Sequence, residues 1–267
     1  MPERATALVR DWGPRLTQDP LVKRILVAAQ ARVPDVQLAA LDGLQRENAA
    51  FQRAAGEQFR NEAIGHCKDI SRTMFAIASS RVASLGGDPF GFVRLHAVRR
   101  ARQQFPLAGS LNAYRLAHKG YWTVIREQIV ALARDDEQVS ACSMLLSEFL
   151  IEFFDVLSGM LTNAHLAEEQ RLVAQRLRAR VALLEDLLNG RPPGDLDARD
   201  VSESCGIRDG TNVAVAVIRP SSGASSLRTE RDTSLAGLYE VVEDILSTHR
   251  LSALVERYSS PEWNEFR

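Results

Sequence analysis

The apolar run SMLLSEFLIEFFDVLSGML, residues 143–161, places the tightest limit on what this chain can fold into. It carries Glu148, Glu152 and Asp155, four and three residues apart. On a helix those spacings put the three carboxylates on one narrow stripe and leave apolar side chains around the remaining faces. A bilayer span needs about 20 residues largely free of charge. The run is therefore expected inside a protein, buried on most sides with one wet or paired edge. Such a helix needs others around it. The sequence supplies them: from residue 3 to about 190, apolar residues recur at helical spacing, strand alternation is absent and turn signals come at helix-length intervals.

Gly13-Pro14 and Asp19-Pro20 punctuate the start. Helices are expected at roughly 20–32 and 35–54, with Pro34 between them, and at 57–83, ending at Gly86-Gly87. Asp88-Pro89 reads as an N-cap followed by proline at the first helical position, opening a helix at about 89–104 that Pro106 breaks. The next helix covers about 108–133. Asp135 or Asp136 then caps a last helix that runs to the Asn189-Gly190 pair. Unbroken, it would be roughly 80 Å long at about 1.5 Å per residue. After Gly190 the style changes. NVAVAVIRP, 212–220, reads as a strand, SLAGLYEVVEDILSTH, 234–249, as an amphipathic helix, and LSALVERYSS, 251–260, as a second strand. Two strands and a helix are too little sheet to stand alone.

The expected fold is therefore mainly α. An N-terminal multi-helix bundle, for which a globin-like arrangement is one form, is followed by a long C-terminal linker helix and a small, partial α/β module. The corresponding divisions are 1–165 for the all-helical domain, 166–190 for the connecting helix and 191–267 for the incomplete α/β domain.

Composition narrows the function classes. The chain is 45% hydrophobic and 25% charged with a net charge of −1, so no overall field draws it to nucleic acid or to a membrane surface. Cys67, Cys142 and Cys205 are few, odd in number and far apart, which signals neither a disulfide framework nor a zinc site and fits a reducing, cytoplasmic setting. The N-terminus lacks the apolar core of a signal peptide. No Gly-rich phosphate loop, nucleophile elbow or His-Glu-x-x-His is present, so no catalytic role, metal or cofactor is expected. GGDPF, 86–90, invites comparison with the GGDEF signature of cyclic dinucleotide synthases. Here it joins two helices and places Pro89 at the acidic fourth position, so its glycines and Asp-Pro are read as helix punctuation.

The most suggestive stretch is LNAYRLAHKGYW, 111–122. Leu107, Leu111, Tyr114, His118, Tyr121 and Ile125 form one helical stripe, with Arg115 and Trp122 on its flank. A hydroxyl, a guanidinium and an imidazole near one another would suit a small anionic or polar effector, making Tyr114, Arg115, His118 and Trp122 candidate ligand contacts. In the alternative, the rings pack in the core and their polar tips bond to neighbouring helices or water. A third reading is haem, with His66, His96, His118 or His165 as axial ligand, although no Cys-x-x-Cys-His attachment motif occurs. In RLHAVRRARQQF, 94–105, Arg94, Arg99, Arg100 and Arg102 are read as a solvated face or as partners of acids within the chain.

Further along, Leu166, Val173, Leu177, Val181, Leu184 and Leu188 make a narrow apolar seam in a helix otherwise rich in Glu and Arg. Such a stripe suits pairing between two copies of the chain, and it would equally serve packing on its own domain.

Two stretches carry a family resemblance. PLAGSLNAYRLAHKGYW, with its Ala-Tyr-Arg core and downstream Trp, resembles the RsbRD-type N-terminal helical domain. ALLEDLLNGRPPGDLDARDVSESCGIRDGTNVAVAVIRP resembles the junction in PucR/CdaR-type regulators, where a long helix ends in Leu-Leu-x-Gly-Arg-Pro and enters a degenerate GGDEF-like α/β domain. The resemblance covers the chain from about residue 20 to the end. It implies a helical sensory or dimerisation domain, a connecting helix and a GGDEF-like domain without cyclase activity. It also implies a homodimer that takes a small-molecule effector and reaches DNA only through a C-terminal helix-turn-helix domain, which nothing here matches. Tyr114, Arg115 and Trp122 are motif positions in that resemblance. An RsbR-like stress-signalling scaffold, which shares the helical domain, is the alternative; a haem-binding globin-like gas sensor is a further one.

Overall fold

The computed structural model describes residues 2–47, 49–53, 56–85 and 87–188. The expected α/β module, the Gly190 cap and Cys205 lie outside the described residues. Among those described there are eight α-helices and no strand: α1 (Pro2–Thr17), α2 (Pro20–Ala31), α3 (Val33–Glu47), α4 (Ala49–Arg53), α5 (Glu57–Ala78), α6 (Gly91–Arg102), α7 (Leu107–Leu132) and α8 (Asp136–Leu188), with one 3-10 turn at Val82–Leu85. The chain divides into two units, Met1–Gln170 and Arg171–Arg267. The first holds α1 to α7 and most of α8. The mainly helical class expected from the periodicity is what the described residues adopt.

Local chemistry sets several helix ends. Asp19 Oδ1 accepts the Leu21 N–H at 2.7 Å and Pro20 takes the first helical position, where its missing N–H costs nothing. At the start of α8, Asp135 Oδ1 accepts the Gln138 N–H at 2.8 Å while Gln138 Oε1 accepts the Arg134 N–H at 3.1 Å. Asp135, of the two aspartates considered, is therefore the cap.

Other boundaries differ from the expectation. Asp88 does accept the Phe90 N–H, at 3.0 Å, but Pro89 and Phe90 form a turn and α6 opens only at Gly91. The run 57–83 stops being α-helical at Ala78, where Ser79 and Ser80 turn the chain and Ser80 takes a positive φ of 54°. Gly13-Pro14 does not interrupt α1, which continues to Thr17 with Pro14 inside it. A side chain at Gly13 would meet Ser80 Oγ at 2.6 Å and the Ile77 carbonyl at 2.9 Å, so this glycine marks where α1 presses on the end of α5.

The core gathers Trp12 and Leu16 of α1, Ile25 of α2, Met74 and Ile77 of α5, Ile125 and Ile129 of α7, and Leu146, Phe149, Phe153 and Leu157 of α8. Each such side chain contributes about 1.5–3 kcal/mol by leaving water. The acidic stripe of α8 is paired. Glu152 Oε2 accepts the Trp12 indole N–H at 2.7 Å, Glu148 pairs with Arg15 at 3.3 Å and Asp155 with Arg4 at 2.9 Å. The order is reversed along the two helices, so α1 runs antiparallel to α8 and covers its polar edge. The Arg4 and Arg15 pairs are exposed and contribute at most about 1 kcal/mol each; the indole bond, one end of which is buried, does the aligning. Among the described residues no helix is long and apolar enough to cross a membrane.

Candidate functional site

A second, smaller apolar cluster of Leu44, Phe51, Phe59, Ala63 and Phe105 lies apart from the main core. Beside it opens a cavity lined by residues of α3 to α7 and open to solvent on one side. Its volume is about 40 Å³, more than the roughly 10–15 Å³ that one water requires.

The polar side of the cavity follows from helical spacing. His66 and Ile70 stand four apart on α5; His96 and Arg100 do so on α6; Ser110, Tyr114 and Ala117 follow in steps of four and three on α7. Where the three helices meet, His66 Nε2 and the Tyr114 hydroxyl share a hydrogen bond of 2.9 Å. The His66 and His96 rings stack with centroids 3.7 Å apart and planes 11° from parallel. Ser71 and Tyr121 share a further hydroxyl hydrogen bond one turn away.

Arg100 is the anchor of this cluster. Its side chain is only 2% exposed, and the guanidinium lies 3.5 Å over the Phe59 ring. Nη1 donates to Glu62 Oε2 at 3.2 Å and to Gln103 Oε1 at 2.7 Å, and Nη2 donates to the Phe59 carbonyl at 3.4 Å. Arg99 approaches the same Glu62 carboxylate at 3.8 Å. Two guanidinium groups thus share one carboxylate. Burial, helped by the charges of Arg100 and Arg99, brings His66 down to about 3. Burial, the neighbouring His66 and the same two arginines take His96 well below its ordinary value. Both imidazoles are neutral at pH 7. Burial raises the Tyr114 phenol and pushes the Cys67 thiol up to about 11, so neither ionises there.

The Ser110 hydroxyl is buried in the cavity wall and has no hydrogen-bond partner. Its neighbour Gly109 lets α7 approach closely, since a side chain there would meet the Phe105 ring at 2.9 Å.

Of the four residues singled out in the sequence, only Tyr114 lines this cavity. His118 is half-buried with its ring stacked on Phe154 at 5.2 Å. Trp122 is partly buried against the main core. Arg115 is exposed and donates to Asn112 Oδ1 at 2.7 Å. The structure does not gather the four together. The buried line of α7 runs through Ser110, Tyr114, Ala117 and Tyr121, about one position off the stripe drawn through His118.

The arginines of α6 pair with acids, as expected: Arg94 with Asp88, Arg99 and Arg100 with Glu62, and Arg102 with Glu168. Of the histidines considered for haem, His66 is bonded to Tyr114 and covered by His96, and His165 is fully buried with Nε2 3.2 Å from Glu169. Among the described residues no group of three or more His, Cys, Asp or Glu is assembled as a metal ion would require.

In the apolar seam, Leu166, Val173 and Leu177 are 43%, 63% and 50% exposed, and Val181 is partly buried. The side chains of Leu184 and Leu188 lie outside those described.

No curated protein and no solved structure matches the chain. A family model does. The model described as the RsbT co-antagonist protein rsbRD N-terminal domain matches residues 34–180. That span is more than half of the chain and takes in the cavity, its polar cluster and the start of the seam; the chain therefore belongs to the rsbRD N-terminal domain family, a family of helical signalling domains.

Proposed function

We propose that this chain is the signal-receiving and dimer-forming region of a PucR/CdaR-type transcription regulator. It has no catalytic role in this reading. Two copies pair through α8, an effector favours one arrangement of the helices, and the change passes along α8 to the GGDEF-like module assigned to residues 191–267. DNA contact belongs to a helix-turn-helix domain outside this sequence. An effector shifts such an equilibrium only by binding one arrangement better than the other.

The observation that carries the reading is the seam. Val173 and Leu177 stand exposed on a helix whose other side chains there are mostly charged or polar, and isolated large apolar groups at such spacing suit a partner helix. The junction LLNGRPP supports the regulator class. The family match itself favours a second reading, an RsbR-like signalling scaffold with the same helical domain.

Light scattering at high micromolar concentration tests the pairing. A dimer is expected, with Val173→Glu plus Leu177→Glu giving a monomer of unchanged helicity; a monomeric parent chain defeats the proposal. The downstream coding sequence separates the two readings. About 60 further residues with a helix-turn-helix pattern support the regulator, and a sulfate-transporter/anti-sigma-type domain supports the scaffold.

A further inference from the structure

Along the outer edge of the α7–α8 hairpin we infer a docking surface for an acidic amphipathic helix of a partner protein. Trp122, Val130, Met144 and Ile151 receive its apolar side, and Arg115, Lys119 and Arg126 its carboxylates. The surface precedes Leu166, the first residue of the pairing seam, so the inference holds whether or not two copies pair.

The two rows follow from contacts that fix each helix. On α8, Phe154 meets the His118 and Tyr121 rings of α7, whereas Glu148, Glu152 and Asp155 are held by α1. Ile151 falls between those two directions on the helix, and Met144 stands seven residues earlier on the same line. On α7, His118 faces α8, while Leu116 and Gly120 lie against Gly43 and Val36 of α3. Arg115, Lys119, Trp122, Arg126 and Val130, in steps of four, three, four and four, take the sector between. The short connection between Leu132 and Asp136 makes the two helices antiparallel. Since His118 is level with Phe154, Trp122 comes level with Ile151, and Val130 with Met144, to within a turn. The rows therefore border one groove.

That groove is apolar along its length. Val130, Met144 and Ile151 are 66%, 72% and 59% exposed, and Trp122 is half-buried. Single exposed apolar side chains are ordinary, but a row of them beside a tryptophan marks a contact surface.

Its charge names the occupant. Arg115, Lys119 and Arg126 form no ion pair among the described residues, and Arg115 donates only to Asn112. Glu127, the acid beside Arg126, is engaged by Arg32, and on α8 Glu148 and Asp155 are engaged by Arg15 and Arg4. The three cations face outward unmatched over about 16 Å of helix. Carboxylates at the same spacing of four and seven on a second helix reach all three, as charges flanking an apolar seam do between paired helices. A lipid surface fits less well. The net charge is −1, and three cations fall short of the about four to eight that a cluster recognising anionic headgroups carries.

The test is fluorescence anisotropy of the full chain with a labelled helical peptide of about five turns, leucines along one face and glutamates beside them at spacings of four and seven. Saturable binding is expected, weakening as salt is raised. Arg115→Glu with Lys119→Glu and Arg126→Glu should weaken it at least about tenfold, and so should glutamine for glutamate in the peptide. Met144→Ser with Ile151→Ser should weaken it about tenfold at low and high salt alike, with an unchanged helical spectrum in both variants. Absence of saturable binding at about 100 μM overturns the inference, as does an affinity that the charge reversals leave untouched. Tighter binding of the parent chain to phosphatidylserine vesicles than to the peptide assigns the face to lipid. Loss of self-association in the charge-reversed chain, seen by light scattering, assigns it to a second copy. Either result overturns the inference as well.

Discussion

Gly13→Ala is the substitution that separates a helix break from a helix contact. An alanine Cβ would lie 2.6 Å from Ser80 Oγ, 2.9 Å from the Ile77 carbonyl oxygen and 3.1 Å from Ser80 Cα. The serine hydroxyl can rotate away. The carbonyl cannot, because it accepts the Ser80 N–H at 3.0 Å in the turn that ends α5. Helix α1 must therefore back off by a few tenths of an ångström, loosening Trp12 and Leu16 in the core. Forced overpacking of this kind costs about 1–3 kcal/mol. Against it stands the gain of about 1 kcal/mol from replacing glycine by alanine inside a helix. At the middle of that range the contact wins, and a net loss of about 1 kcal/mol is expected. For a chain of this size that lowers the melting temperature by roughly 2–4 °C. Gly43→Ala is the internal control. Its Cβ would meet only the Leu116 methyls, at 3.8 Å, so the propensity gain should show as unchanged or raised stability. Urea denaturation followed by circular dichroism compares the two. A Gly13→Ala protein as stable as the parent, or a Gly43→Ala protein equally damaged, refutes the close-approach reasoning.

Glu62→Ala strips the buried Arg100 of its carboxylate and should cost about 3–5 kcal/mol, whereas Glu62→Leu with Arg100→Met should recover most of that in the same denaturation assay. Stability should also fall on acidification from pH 6.5 to 5. His66, held down to about 3 in the fold, stays neutral while its unfolded counterpart near 6.5 gains a proton, so the unfolded state binds more protons as pH falls. His96 acts in the same direction, and each histidine adds a slope approaching about 1.4 kcal/mol per pH unit that His66→Gln should reduce in urea midpoints. Asp135→Ala removes the side-chain acceptor for the Gln138 N–H and should cost about 1 kcal/mol, read from the thermal midpoint.

Periodicity and punctuation alone were enough to place most of the helices. The acidic stripe at Glu148, Glu152 and Asp155 announced a buried helix with a paired edge, because spacings of three and four put side chains on one face whatever surrounds them. The Asp19-Pro20 start, the Asp135 cap and the α6 arginines paired with acids were legible for the same reason: their chemistry is local or a matter of charge balance. What needed the tertiary structure was everything set by a neighbour distant in sequence. Which side chains would meet the acidic stripe depended on α1 lying antiparallel to it, 133 to 151 residues away. Gly13-Pro14 looks like a break until Ser80 is seen against it. Tyr114 was singled out on its own helix, but its partner His66 is 48 residues away, and Ser110 gave no signal because an unpaired hydroxyl is a property of surroundings. A one-position shift of the buried line on α7 took the site away from Arg115 and His118, since helix rotation is decided by packing against other helices, α2 and α3 foremost, and the amphipathic pattern of one helix only approximates it.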